Sequence, residues 1–312
     1  MILMSSKKPS LHDLSFKSFD KNSIASKYDD LFSLWKATSL SRRESTTEDY
    51  GRIFYEFANC INHRPLGDIS RRDVIGFRDR LIEKGQSPIT ASRKIGVLKT
   101  IFLTAVDHEL MPANPADGVR MHSKTQVKQR IAFAADDLVR IFNSAIYTEG
   151  FVPRGAGREA VYWLPLLALF TGARVEELAQ LLVENVQYVP GLGHYLDITD
   201  EAGHAKLKNV ASRRRIPVHQ TLITCGFLDY AAETGKRSTF LFPDLKSNPR
   251  GRLAGYFTNF FSHYLRDTIG ISDSRKVFHS FRHTFKDACR AVGIEESVHD
   301  RAHRRGRRSA LR

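Results

Sequence analysis

The apolar periodicity of this chain is interrupted once, over a basic stretch, and that interruption constrains the fold more than any other feature. From Tyr28 to Leu110, large apolar residues recur every three or four positions, the spacing that lines one face of a helix. Leu31, Leu34 and Trp35 form a first stripe, and Tyr50, Ile53, Phe54 and Phe57 a second. Val74, Phe77, Leu81 and Ile82 form a third, and Ile95, Leu98, Ile101, Phe102 and Val106 a fourth. Four helices are predicted. Ser70 is placed to cap the third, Ser87-Pro88 opens the fourth, and Pro112 and Pro115 close it. From Arg120 to Arg130 the chain then carries Arg120, Lys124, Lys128 and Arg130 with no acidic residue, which reads as an exposed basic linker.

Periodicity resumes near Phe133, where Ala134-Ala135-Asp136-Asp137 precedes Leu138, Ile141 and Phe142, an amphipathic helix with acidic residues in its first turn. Tyr162 to Phe170 and Val175 to Leu182 read as two buried helices joined at Thr171-Gly172. Tyr195 to Thr199 alternates like a strand and Ile216-Pro217-Val218 like its partner. Between them, Asp200 to Arg215 forms a long hairpin tip with Lys206, Lys208, Arg213, Arg214 and Arg215. The predicted organisation is a flexible Ser- and Lys-rich arm over 1–25, a helical domain over 26–118, a linker over 119–131, a second domain over 132–300 and an arginine-rich tail over 301–312. The fold class is mainly α with a small β-hairpin or sheet.

Lys and Arg number 48 against 34 acidic residues, a net charge of +14, and an excess of that size points to a polyanionic partner. The excess is uneven: +7 over residues 1–130, +1 over 131–300 and +6 over 301–312. Cys60, Cys225 and Cys289 lie far apart with no CxxC pair, which argues against a disulfide framework or a thiolate zinc site and fits a reducing cytoplasm. The longest apolar run, Tyr162 to Phe170, is well short of the roughly 20 residues that span a bilayer. No secretion signal is read at the N-terminus.

Three groups of residues invite chemistry. Arg174 follows the Thr171-Gly172 break with Glu177 one helical turn later; it is equally a structural ion pair and a buried cation awaiting a phosphate. His279 and Arg282 lie three apart in Phe278-His279-Ser280-Phe281-Arg282-His283, so one helix face would carry both, with Phe278, Phe281 and Phe285 packing behind. Taken alone, this pattern also fits a solvated face. The same holds for the hairpin lysines, although a lysine beside a pocket of arginines would be a competent proton donor.

Taken in order, Thr171-Gly172-Ala173-Arg174 with Glu177-Leu178, then Leu207-Lys208-Asn209 ahead of Ser212-Arg213-Arg214-Arg215-Ile216-Pro217-Val218, then His279-Ser280-Phe281-Arg282-His283-Thr284 resemble the tyrosine recombinase, or phage integrase, family. The likeness covers about residues 27 to 300. It implies an N-terminal four-helix core-binding domain and a C-terminal mixed α/β catalytic domain. It also implies site-specific DNA integration and recombination through a 3′-phosphotyrosyl link, without metal or other cofactor. By position, Arg174 and Arg282 would hold the non-bridging oxygens, Lys208 would protonate the 5′-oxygen leaving group and His279 would assist proton transfer. Glu177 would orient Arg174. The family binds double-stranded DNA as a tetramer, which places a homo-oligomer on DNA in a bacterial cytoplasm. Thr90, Ser92, Arg93 and Lys94 would lie near a groove, and Lys124, Lys128 and Arg130 along the backbone.

The pattern breaks near the C-terminus. The family's Gly-His (or Trp) box and nucleophilic tyrosine should follow the His-x-x-Arg helix, yet the last tyrosine is Tyr264. His303 is a weak stand-in for the box histidine, since no glycine precedes it. The abrupt turn to arginine, alanine, glycine and serine after Val298 reads as an out-of-frame ending, an idea that the nucleotide sequence of the last codons would decide. As written, the chain is expected to bind DNA without cleaving it, and a non-catalytic occupant of recombination sites is the alternative reading.

Overall fold

A computed structural model describes residues 24–38, 42–121, 129–199 and 213–295. The chain divides into two compact units, residues 1–127 and 128–312. Lys124, Lys128, Lys206, Lys208 and His303 lie outside the described residues.

The first unit is built from α1 (Ile24–Ala37), α2 (Glu44–Cys60), α3 (Arg71–Glu83) and α4 (Pro88–Asp107). Its four predicted stripes converge on one aromatic core. Trp35 stacks on Tyr50 at 4.8 Å between ring centroids, and Phe57 meets Phe77 and Phe102 edge-on at 5.4 and 5.7 Å, geometries favoured by the ring quadrupole. The longest helix, α4, packs against α1, α2 and α3 and buries Ala91, Ile95, Val97, Leu98, Ile101, Phe102 and Ala105. Phe32, absent from the predicted stripes, joins this core, whereas Ile82 stands 38% exposed at the edge of its own. The helix starts have local causes. The Ser70 amide and hydroxyl both donate to the Asp73 carboxylate, and Ser87 Oγ accepts the Thr90 amide ahead of Pro88.

The second unit begins with α5 (Ala135–Phe142) and α6 (Ala145–Thr148), followed by α7 (Ala160–Thr171) and α8 (Val175–Ala179). A three-stranded antiparallel sheet follows, in the order β1 (Val186–Val189), β2 (Gly193–Ile198) and β3 (Arg214–Pro217). Then come α9 (Gln220–Thr224), α10 (Phe227–Gly235), α11 (Ala254–His263), a single π turn over Tyr264–Thr268 and α12 (Ser280–Ala291). The nearly all-apolar α7 is the centre of this unit and packs along α12. Around it a core runs from Phe133 through Trp163, Phe227 and Phe257 to Phe281.

Two sequence expectations are corrected here. The helix predicted from Val175 to Leu182 stops at Ala179, because the Leu181 carbonyl accepts the Leu241 amide and the Val183 amide donates to Thr239. That backbone is committed to a neighbouring segment and cannot continue the helix. The strand β1 had no predicted counterpart. Its burial does not alternate and Tyr188 is 60% exposed, so period-two patterning is absent at that edge. Among the described residues, no helix is long and apolar enough to cross a membrane.

Candidate phosphate-binding site

The site is organised by the corner between α7 and α8. Thr171 Oγ1 donates back to the Leu167 carbonyl at 2.5 Å and accepts the Ala173 amide at 3.1 Å, closing the helix. Gly172 then takes the left-handed conformation, φ 61° and ψ 12°, which favours glycine. A β-carbon there would also collide with the Phe285 ring of α12. The close approach lets the buried Arg282 of α12 donate from Nη1 to the Gly172 carbonyl.

Immediately after the corner, α8 presents two adjacent carboxylates with different tasks. Glu177 Oε1 accepts Arg174 Nη1 at 2.5 Å, while Oε2 accepts the Arg174 amide at 3.0 Å and Arg214 Nη2 at 2.8 Å. The side chains of Arg174, Glu177 and Arg214 are 29%, 5% and 10% exposed. Burial pushes the Glu177 carboxyl upward, but Arg214, through its charge and hydrogen bond, and then the Arg174 amide and guanidinium outweigh it and hold the group below its ordinary value. Glu176 faces elsewhere. Its oxygens accept the Leu253 and Ala254 amides at 2.9 and 3.1 Å, capping the start of α11.

Beside the corner lies a cleft of about 170 Å³, lined by Ala173, Val175, Thr258, Ser262, Val277, Phe278, His279 and Arg282. His279 precedes the first turn of α12 and Arg282 lies within it, so the predicted spacing does bring both to one site. His279 is an exposed residue. Its pKa is nevertheless lowered to about 4, first by partial burial and then by His283, Arg282, Arg174 and Arg130. The imidazole is therefore neutral at neutral pH and rests in a cationic surrounding. Its ring stands nearly perpendicular to that of His283, 5.2 Å away.

The segment leading to His279 is pinned by residues that the sequence did not mark. Arg266 donates to the Ile271 and Lys276 carbonyls at 2.5 and 2.6 Å. Lys276 pairs with the buried Asp137, and the Phe133 amide donates to Thr284 Oγ1 on α12 at 2.9 Å. Arg130 donates to the Ser274 carbonyl at 2.8 Å, so this residue of the predicted linker is docked on the second unit.

Of the residues expected at one centre, the structure brings together Arg174, Glu177, His279 and Arg282. Arg214 joins them; it and Arg215, expected in the hairpin tip, open β3 instead, paired with Ile198 and Asp197 of β2. The signal was present: β3 alternates half-buried and exposed residues, and extending the period back from Ile216 turns Arg214 inward and Arg215 out. Thr258 and Ser262 were also unmarked; their hydroxyls donate to α11 carbonyls. Tyr264 is buried and stacks on Phe260, and no tyrosine among the described residues lines the cleft. Nor, among those residues, do three or more His, Cys, Asp or Glu side chains gather where they would hold a metal ion.

On the first unit, Thr90, Ser92 and Arg93 lie on the outer face of α4, where Arg93 pairs with Asp49. Lys94, expected beside them at a DNA groove, is turned inward instead. Its side chain is 6% exposed and Nζ meets Glu56 at 2.6 Å. The helical phase explains this, since position 94 lies between Ala91 and Leu98 on the buried face.

No family model and no curated protein sequence matches the chain. Solved structures do match in fold. A lambda integrase tetramer bound to a Holliday junction is 18% identical with a TM-score of 0.65, over 96% of this chain and 83% of that one. A lambda integrase dimer, residues 75–356, bound to a COC′ core site gives 18% and 0.64, over 90% and 95%. The Tn1549 transposon integrase in complex with transposon right end DNA gives 17% and 0.60, over 88% and 90%. At this level of identity the likeness shows a shared fold.

Proposed function

We propose, from an integrase fold that sets Arg174 beside a cleft lined by Arg282 and His279, that this chain is a DNA-binding protein of the tyrosine-recombinase type that grips one backbone phosphate. The observation that carries the reading is the convergence itself. Arg282, which donates to the Gly172 carbonyl, lines the cleft together with His279, and Arg174, two residues after the corner, is near enough for its charge to bear on the His279 imidazole. A phosphodiester supplies the negative charge that such a surrounding lacks, and preorganised donors bind it without reorganisation. In this reading Arg174 and Arg282 contact the non-bridging oxygens, and His279 takes up or shares a proton as the anion arrives. Lys208 serves as the proton donor to the 5′-oxygen by resemblance.

Grip on a longer DNA segment comes from the rest of the chain. Thr90, Ser92 and Arg93 offer an exposed polar face on α4, and Arg130, with Lys124 and Lys128, adds positive charge along the backbone. Several similar structures are integrase assemblies on DNA, one of them a tetramer on a Holliday junction, which supports a homo-oligomer on DNA for this chain. In this reading the described lining binds phosphate and supplies no activated hydroxyl: Thr258 and Ser262 are bonded to their own helix and Tyr264 is in the core.

A nicked suicide duplex, with its sequence selected by the protein from a random library, tests both halves. The expected result is a shifted, non-covalent complex that loses about tenfold or more affinity in Arg174→Ala and Arg282→Ala. A 3′-phosphotyrosyl adduct would sink the cleavage-deficient reading. Unchanged affinity in both arginine variants, with wild-type folding, would sink the phosphate reading and leave a DNA-binding protein whose cleft is idle.

A further inference from the structure

We infer that Arg214 is a positioning residue of the cleft, which neutralises Glu177 from behind and so leaves the Arg174 guanidinium cationic toward an incoming oxyanion. The inference rests on the phosphate-binding reading above and assigns its charge balance to β3.

Taken alone, Arg174 and Glu177 are an ion pair of zero net charge at 2.5 Å. A carboxylate at that distance competes with any phosphate for the same guanidinium. Such a pair is a good scaffold and a poor anion trap. Arg214 changes the count. It reaches Glu177 Oε2 at 2.8 Å, while Arg174 Nη1 occupies Oε1, so the three side chains carry a net charge of one positive unit. The carboxylate is 5% exposed and Arg214 10% exposed, whereas Arg174 is 29% exposed. The buried members therefore balance each other, and the surplus resides on the guanidinium that solvent and ligand can reach. Screening by water is least for the buried pair.

The scaffold fixes this arrangement. Arg214 opens β3 and stands in register with Ile198 of β2, so its position is set by a strand ladder. Glu177 is held on the other side by the Arg174 amide at 3.0 Å, which also caps α8. Arg174 is thereby clamped through both its backbone and its side chain, and Arg214 supports the clamp through the carboxylate they share. A guanidinium fixed in this way enters the complex with little rotamer entropy left to lose.

The test follows the His279 imidazole by NMR in the full-length chain during titration with inorganic phosphate, comparing wild type with Arg214→Ala, Arg214→Lys and the double variant Arg214→Ala, Glu177→Gln. Arg214→Ala is expected to weaken phosphate about tenfold, and Arg214→Lys to retain most of the affinity. The double variant should recover to within about threefold of wild type, because removing the carboxylate removes the charge that Arg214 offsets. The free His279 resonance should also titrate at higher pH in Arg214→Ala than in the double variant, a signed shift that a purely structural role does not produce. If Arg214→Ala does not fold, the double variant decides: near-wild-type binding supports the inference and weak binding overturns it. Unfolding of both variants, or unaltered phosphate affinity in folded Arg214→Ala, overturns it in favour of a structural ion pair. A wild-type chain that fails to bind phosphate refutes the underlying reading instead.

Discussion

A buried lysine in the first unit and a buried carboxylate in the second are each held by opposite charge, and the two pairings differ in arithmetic. In the first, Lys94 meets Glu56 at 2.6 Å, one charge against one. In the second, Glu177 is shared by Arg174 and Arg214, two against one. Lys94 is sequestered on the inner face of α4, whereas Arg174 stays partly open beside a cleft. The comparison teaches that burial and pairing do not by themselves retire a cation from function. What matters is whether the carboxylate has already been neutralised by a second partner. Removing one member of a buried pair strands the other, so the two arrangements should respond differently to substitution.

The largest expected effect lies at Arg282, which lines the cleft. Arg282→Ala should weaken phosphate binding by about 100-fold and cost about 2 to 4 kcal/mol of stability, since it strips a buried hydrogen bond from the Gly172 carbonyl. Isothermal titration and denaturant unfolding read the two separately. Retained phosphate affinity would mean that the surplus charge of the trio acts without Arg282, and the cleft would have to be redrawn.

Acid should produce a smaller effect in two stages. The folded pKa of His279 is about 4 against an ordinary 6.5. Between those values the unfolded chain takes a proton that the folded chain refuses, so stability falls as pH is lowered through the window and this contribution is exhausted below it. Glu177 acts further down: its stabilisation is complete above its ordinary 4.5 and is lost as pH falls through its lower folded value. Unfolding free energies measured from pH 7 to 3 should show the first stage vanish in His279→Gln and the second in Glu177→Gln. Binding of a dialkyl phosphodiester, a monoanion throughout this range, should by contrast strengthen over the first window, because a bound anion favours the imidazolium. An affinity that declines from pH 7 to 5 would contradict a cleft whose cationic character is waiting for an anion.

The smallest effect is expected at the one-to-one pair. Lys94→Met keeps the buried stem, and Glu56, at 30% side-chain exposure, can be hydrated. Stability should change by about 1 kcal/mol or less, and affinity for duplex DNA by less than about twofold. A loss of about one unit in the salt-dependence slope of DNA binding would restore Lys94 as a phosphate contact and end the contrast between the units.

What the sequence made legible follows from how regular each element's pattern is. The first unit was readable because Ile53, Phe54 and Phe57, or Ile95, Leu98 and Ile101, repeat with helical period and pack on one side only. Lys94 was misplaced because a lysine on a helix usually faces water, and only its phase between Ala91 and Leu98 says otherwise. In the second unit α7 is apolar on all sides, so its existence was evident while its neighbours were not. Arg174, Glu177, His279 and Arg282 were marked as candidates by local spacing, and the family resemblance implied that they share a site. The contact that closes the corner was not legible, because Gly172 and Arg282 lie 110 positions apart. Arg214 was hidden for a related reason: its role is defined by a strand register and a carboxylate 37 residues away, neither of which local pattern encodes.

The short helix α8 has a mechanical consequence. It has only five residues, yet its consecutive carboxylates are fastened to separate bodies, Glu176 to the start of α11 and Glu177 to β3 through Arg214. One turn of helix thereby ties the start of α11, the helix that carries Thr258 and Ser262 into the cleft, to the carboxylate that holds Arg174.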